Sequence, residues 1–259
     1  MPRVRLDSLL AERGLFESRS RAAAAVMAGE VQVARRRASK PGQLVESGVE
    51  IDVAAAPAYV SRGGVKLANA LDALGVPVAG RDCLDVGAST GGFTDCLLQR
   101  GAARVTALDV AYGELDYRLR QDERVTVIER TNARSVEALP YPPELIAIDV
   151  SFISLAKVLP AVLALAADAF DCLAMVKPQF EVGRSRVGKG GVVRDPVLRR
   201  EAVAGVAARA RELGCTVMGF APSGLPGPAG NLETFAWIAE GARAGGLEDV
   251  VAALEEMPV

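Results

Sequence analysis

The sequence predicts an α/β fold, a mostly parallel sheet covered by helices, with a small α+β unit ahead of it. Three observations carry this. From residue 61 onward, short β-branched-rich apolar runs alternate with helical stretches, which is the signature of a sheet buried on both faces. Half of the 259 residues are apolar and about a quarter are charged, a composition with ample material for a core. The charge is also uneven, because residues 1–66 hold 11 Lys plus Arg against 7 Asp plus Glu, whereas residues 67–259 hold 19 against 25. A basic segment on an acidic body suggests that the segment meets a polyanion.

The N-terminal elements follow in order. Leu6, Leu9 and Leu10 share one helical face that stops at Gly14, and a second helix starts at Ser18 with Ala22, Ala25 and Val26 in register. Gly29 ends it. VQV then begins an extended stretch that returns, after a basic turn, as VESGVEIDV, giving a helix-helix-strand-strand order. Arg3, Arg5, Arg19, Arg21, Arg35, Arg36, Arg37 and Lys40 are the candidates for a phosphate-binding face. Residues 54–60, AAAPAYV, read as a short linker between a unit spanning 1–53 and one spanning 61–259.

Seven runs supply the strands of the larger unit: 81–87, 104–110, 124–130, 144–152, 171–180, 215–223 and 234–239. GFTDCLLQRG, LAKVLPAVLALAA and PVLRREAVAGVAARARELG supply helices between several of them. The last two strands lack an intervening helix and suit an antiparallel edge hairpin. In such sheets ligands bind at the carboxyl ends of the strands, near the topological switch point.

The loop after the first of these strands, Asp85-Val-Gly87-Ala88-Ser89-Thr90-Gly91-Gly92-Phe93, has glycines ahead of a helix N-terminus, where backbone can approach a ligand. Its GxxxGG spacing is neither the dinucleotide fingerprint nor a Walker loop. Asp109, at the end of the second strand, is placed to accept hydrogen bonds from a ribose diol. A nucleoside ligand fits best. GRSRVGK, residues 183–189, has Walker spacing without the magnesium-binding hydroxyl or a following helix, and reads as a mobile basic loop over the site. Four further residues fall where strand ends converge: Lys66, Asp149, Lys177 and Glu233. Asp149 and Lys177 end intensely apolar strands, where an ionisable group is rarely buried without a partner.

With no His in the chain, Ser-His-Asp and Cys-His centres and His-ligated metal sites are excluded. The four Cys form no CxxC pair and read as buried apolar residues of a reducing compartment, with no metal expected. The N-terminus has no apolar h-region, and the apolar stretch 158–167 contains Pro160 and is too short to span a bilayer. A soluble cytoplasmic protein, without a membrane partner, is the expectation; the oligomeric state is not readable.

RLDxxLxxxGLxxSR, the apolar helix, GxVxV, the basic turn, KPG and the VxxGVEIxV strand together resemble the S-four-type RNA-binding module. One departure is Ala-Arg-Arg-Arg at the turn, where that family usually has Asn-Gly. DVGASTGGFT with ALDV resembles the S-adenosylmethionine-binding motifs of class I (Rossmann-like) methyltransferases. Lys66, Asp149, Lys177 and Glu233, in their order and contexts, resemble the tetrad of the FtsJ-like 2′-O-ribose methyltransferases. SRGGxKL, IDVSFISL, VKPQFE and GNxE extend the resemblance to the TlyA family of ribosomal RNA methyltransferases over nearly the whole chain. The resemblance implies S-adenosylmethionine as cofactor, cytidines of ribosomal RNA or ribosomal subunits as substrate, and Lys177 as the base. Lys66 would orient the hydroxyl, Asp149 hold Lys177, and Glu233 complete the network. A membrane-lytic protein, a nicotinamide oxidoreductase and a catalytically silent RNA-binding factor are the competing classes.

Overall fold

The computed structural model describes residues 3–53, 57–241 and 243–257. The chain separates into two compact units, residues 1–58 and residues 59–259. Of the linker expected over 54–60, residues 54–56 lie outside the described residues.

The smaller unit runs β1 (Arg3–Arg5), α1 (Leu6–Glu12), α2 (Arg19–Ala28), β2 (Val31–Val33), β3 (Arg36–Arg37), β4 (Leu44–Glu46) and β5 (Ile51–Val53). Leu6, Leu9 and Leu10 of α1 pack on Ala22, Ala25 and Val26 of α2, and Val31 and Val45 close this core. The Ser18 hydroxyl accepts from the Arg21 amide at the start of α2, and Gly29 ends the helix in the left-handed conformation. The strand pair expected after the helices needs correction. The VESGVEIDV run breaks in two: β4 pairs with β1 and β5 pairs with β2, in separate small sheets. The Arg13 guanidinium donates to the carbonyls of Ser47 and Val49, at 2.7 and 2.8 Å, and holds the break at Gly48. β1 is three residues long, too short to show a periodicity in sequence.

The turn between β2 and β3 has Ala34 at φ 49° and Arg35 at φ 64°, with Val33 paired to Arg36 on either side. Positive φ at both central residues is the primed hairpin geometry that Asn-Gly adopts without strain. The chain keeps that geometry with two residues that pay about 1–2 kcal/mol each for it.

The larger unit comprises α3 (Arg62–Leu74), β6 (Asp82–Val86), α4 (Gly92–Gln99), β7 (Arg104–Leu108), α5 (Tyr117–Arg120), β8 (Val125–Ile128), β9 (Leu145–Ile148), α6 (Leu155–Leu163), β10 (Asp171–Val176), α7 (Pro178–Glu181), α8 (Pro196–Glu212), β11 (Thr216–Pro222), β12 (Thr234–Ala239) and α9 (Val250–Glu256). Its seven strands lie in the order β11-β12-β10-β9-β6-β7-β8. All run parallel except β12, which is antiparallel to both neighbours. The fold is that of a class I methyltransferase. One face of the sheet packs on α6, α8 and α9 and the other on α3 and α4. The acidic tail helix α9 thus has a packing role, burying Val250 and Leu254 while Arg200 donates to the Leu254 carbonyl.

From β6 the chain builds outward through β7 and β8, then crosses back to β9 and β10. The sheet therefore reverses direction between β6 and β9, and the carboxyl ends of those strands open a crevice. At the opposite end of β10, buried Asp171 accepts from Arg81, Arg243 and the Trp237 indole, tying β10 and β12 to the loop before β6. β10 stops at Val176, short of the expected 180, because Pro178 cannot continue the ladder and instead opens α7.

Replacing Ala34→Asn together with Arg35→Gly relieves the β2–β3 turn and is expected to stabilise the smaller unit by about 1 kcal/mol. Urea unfolding of the full chain checks this, and an unchanged or lower midpoint would show that the turn carries no strain.

Candidate active site

Gly87 follows β6 at the crevice with φ +89°, and a Cβ there would lie 2.4 Å from the Asp149 carbonyl oxygen. Only glycine lets the loop after β6 pass this close to the end of β9. The N-termini of α3 and α4 meet in the same way: a Cβ on Gly92 would lie 2.2 Å from the Ser61 hydroxyl and 2.9 Å from the Gly64 amide nitrogen. SRGG and STGG are thus two halves of one contact. That contact places Lys66, one turn into α3, over the glycine loop.

The four ionisable residues singled out from sequence line one cavity of about 560 Å³, together with Gly87, Ala88, Ser89, Thr90, Gly92 and Phe93. They form two ion pairs. Lys66 from α3 donates to Glu233, which precedes β12, and both side chains are buried. Lys177, at the end of β10, places Nζ 2.5 Å from Asp149 Oδ1 at the end of β9. That approach lacks hydrogen-bond geometry, so Oδ1 has no hydrogen-bond partner among the described residues. Lys177 Nζ donates instead to the Ser151 hydroxyl at 2.8 Å.

A second cavity of about 470 Å³ shares Gly87, Ser89, Asp149, Ser151 and Phe152 with the first, so the two form a continuous cleft. Asp109 lines it. One carboxylate oxygen accepts from the Ser89 amide and the other from the Ala111 amide, both at 2.7 Å. Each oxygen keeps a lone pair for a further donor. Glu114, whose carboxylate accepts from the Ser89 hydroxyl at 3.0 Å, and Asn132 also line this cavity. Neither residue stands out in sequence, since both sit in irregular loops without a motif.

Asp85 and Gly91 line neither cavity. Asp85 is buried beneath the loop, where one oxygen accepts from both the amide and the hydroxyl of Thr94, at 2.8 and 2.7 Å. Its other oxygen has no hydrogen-bond partner among the described residues. Burial pushes this carboxyl up to about 7, against the opposing Thr94 hydroxyl bond. Gly91 lies under Leu115 and Leu119, which occupy the space a Cβ would need.

The basic loop 183–189 is held in two short 3₁₀ turns, Arg184–Arg186 and Lys189–Gly191. Arg186 donates to the Val182 carbonyl and pairs with Glu201, and the Asn231 amide donates to the Gly191 carbonyl. In the smaller unit Arg3, Arg5, Arg19, Arg21, Arg35, Arg36, Arg37 and Lys40 are all exposed. Arg5 and Arg19 converge on buried Asp7, and the Arg5 hydrogen bond, ahead of the Arg19 contact, draws that carboxyl well below the usual range. Two residues at the first cavity carry no sequence signal of their own. Phe152 is 92% exposed at φ +64°, with its ring 5.4 Å from that of Phe180. Gln179 presents a buried carbonyl oxygen without a hydrogen-bond partner among the described residues.

The FtsJ-like methyltransferase family matches residues 59–239, and the S4 domain matches residues 4–51. The chain belongs to the FtsJ-like methyltransferase family. The 16S/23S rRNA (cytidine-2'-O)-methyltransferase TlyA of Mycobacterium tuberculosis is 50% identical over 257 residues, covering 96% of each chain. Hemolysin A of Brachyspira hyodysenteriae is 38% identical over 236 residues, covering 90% of this chain and 98% of that one. A solved structure from Streptococcus thermophilus, also carrying a hemolysin name, superimposes with a TM-score of 0.74 at 38% identity, over 99% of this chain and 96% of that one.

In this FtsJ-like methyltransferase Asp85 links stability to pH. The carboxyl ionises around 3.8 in the unfolded chain and around 7 in the folded one. The folded state therefore binds more protons between those values, and stability falls as pH rises through that window. Asp85→Asn keeps an acceptor for Thr94 without the charge. Its stability relative to the parent is expected to rise between about pH 4 and pH 7 and to level off above. Unfolding at pH 5 and pH 8 checks this; an equal difference at both would show that Asp85 is not the titrating group.

Proposed function

We propose that this enzyme methylates the 2′-hydroxyl of ribose in ribosomal RNA, at cytidine, with S-adenosylmethionine as the donor. The observation that carries the reading is the meeting of the two Lys–carboxylate pairs with the glycine loop in one cleft. Residues 61–259 form the catalytic domain and residues 1–53, with their exposed arginines, the RNA-binding domain. The identity to the Mycobacterium tuberculosis enzyme, spread over both regions, supports the choice of ribosomal RNA and cytidine.

The donor set fits the cofactor. Asp109 and Asn132 suit a nucleoside, and the Asp149 carboxylate, which lines both cavities where they meet, suits a neighbouring positive charge. When bound, S-adenosylmethionine supplies an activated methyl group on a sulfonium. The protein's own residues hold the acceptor and manage its proton. Lys66, fixed by Glu233, orients the ribose hydroxyl. Lys177, positioned by Asp149 and Ser151, receives the hydroxyl proton as the new O–C bond forms, which it does as a neutral amine after releasing its own proton to solvent, and with no imidazole in the chain a Lys does this work. Phe152 offers an exposed ring for a base to stack on. The reaction takes place in the cytoplasm; among the described residues no helix is long and apolar enough to cross a membrane.

Lys177→Ala is expected to lower methyl transfer by about 10²-fold or more while cofactor and RNA affinities hold. Incorporation of labelled methyl into ribosomal RNA checks it, and near-parental transfer would take Lys177 out of the mechanism. Asp109→Ala should weaken S-adenosylmethionine binding by about 1.5–3 kcal/mol, roughly tenfold or more. Calorimetry reads this directly, and unchanged affinity would remove the ribose contact.

A further inference from the structure

We propose that the catalytic domain carries its own track for RNA, a cleft leading away from Lys177 that takes the single strand flanking the target nucleotide. This rests on the reading of the protein as an RNA methyltransferase. The cleft has a volume of about 780 Å³ and shares Phe152, Gln179 and Phe180 with the active-site cavity, so the two are continuous. Arg134, Lys157 and Arg184 line it, and among the described residues no carboxylate does.

Those three cations come from separate parts of the chain: the segment after β8, the first turns of α6, and the basic loop after α7. All three are exposed. The Arg134 Nε donates to the Asn132 side chain at 3.2 Å, and none of the three has a carboxylate within ion-pair distance among the described residues. Several other exposed arginines on this domain are paired with carboxylates: Arg118 with Asp116, Arg124 with Asp122, and Arg186, two residues from Arg184, with Glu201. In an acidic domain, convergence of three cations without carboxylate partners at the mouth of the active site concentrates positive potential there. A solvated surface would scatter such charges among carboxylates. The aromatic pair completes the chemistry: Phe152 and Phe180 supply π faces at the junction, and the cations follow where phosphates of a threaded strand would run. A folded duplex would not present its bases to Phe152, whereas an unpaired strand would.

The test uses the full chain with Arg134→Ala, Lys157→Ala and Arg184→Ala combined, and Arg124→Ala as a control outside the cleft. Binding of protein-free ribosomal RNA is measured across a salt series, with S-adenosylmethionine affinity measured alongside to report an intact fold. Each phosphate contact to a single strand contributes about 0.7 to the slope of log K against log [salt], so the triple variant should lose about 2 from the slope. Cofactor affinity and the Arg124→Ala slope should match the parent. Lys157→Ala alone, at an exposed helical position, should lose about 0.7. A parental slope in the triple variant with cofactor affinity intact, or in Lys157→Ala alone, overturns the proposal. An equal loss of slope in Arg124→Ala also overturns it, as does weakened binding of ribosomal subunits with no change on protein-free RNA, which would put a ribosomal protein in the cleft. A parent protein that binds RNA but transfers no methyl group would overturn the methyltransferase reading while leaving the salt comparison to decide on the cleft.

Discussion

Where the loop after β6 crosses the end of β9, the Asp149 carbonyl oxygen lies 2.4 Å from the position a Cβ of residue 87 would take, too close for any side chain. This backbone approach governs the rest of the site. It lets the glycine loop and the first ionisable strand end share one crevice at the switch point of the sheet, so the residues suited to a cofactor and those suited to proton transfer face a common space. A larger side chain at 87 would push the loop off β9 and separate the two cavities. The Gly64–Gly92 contact repeats the principle on the other side, bringing α3 close enough for Lys66 to reach Glu233. Glycine here provides proximity between backbones, and the chemistry follows from that proximity.

The ionisable groups are stable in this setting because they come in pairs. A Lys buried alone would lose most of its hydration without return, and Lys66 and Glu233 avoid this by facing each other. Lys177 and Asp149 sit at the more open end, and there the geometry is incomplete: the ammonium turns to Ser151 while Asp149 Oδ1 has no hydrogen-bond partner among the described residues. Asp85 shows the opposite use of a carboxyl. Sealed under the loop and bonded to Thr94, it braces the start of α4 at a cost that falls on stability, and it has no surface to offer a ligand.

Much of this was legible in the residues. The seven strand runs, the order of helices and the antiparallel hairpin at the sheet edge follow from apolar runs of the right length, because a strand buried on both faces admits few polar residues. Asp149 and Lys177 could be singled out because ionisable groups at the ends of apolar runs are conspicuous, whereas Lys66 and Glu233 joined them through the resemblance of the four to a known tetrad. Other features left no such trace. β1 and β4 are three-residue strands, too short to show a periodicity, and the break after β4 is held by Arg13, more than thirty residues earlier, through two carbonyls. Phe152 follows an apolar run and reads as part of it, and only its left-handed backbone turns the ring outward. Asp85 and Asp109 are both acidic residues at strand ends, yet one is sealed and the other lines a cavity, a difference made by what packs above them.

The amino-acid sequence by itself determined the class of fold, the basic and acidic halves, and the absence of imidazole chemistry, since these depend on periodicity and composition along the chain. Tertiary structure alone decided which charges are spent and which remain. Arg186 is consumed by Glu201, while Arg184 has no carboxylate within ion-pair distance among the described residues, and Arg5 and Arg19 share Asp7. The physical reason is that an ion pair forms or fails over a few ångströms. Residues far apart in sequence come within that distance only when the sheet brings their loops together.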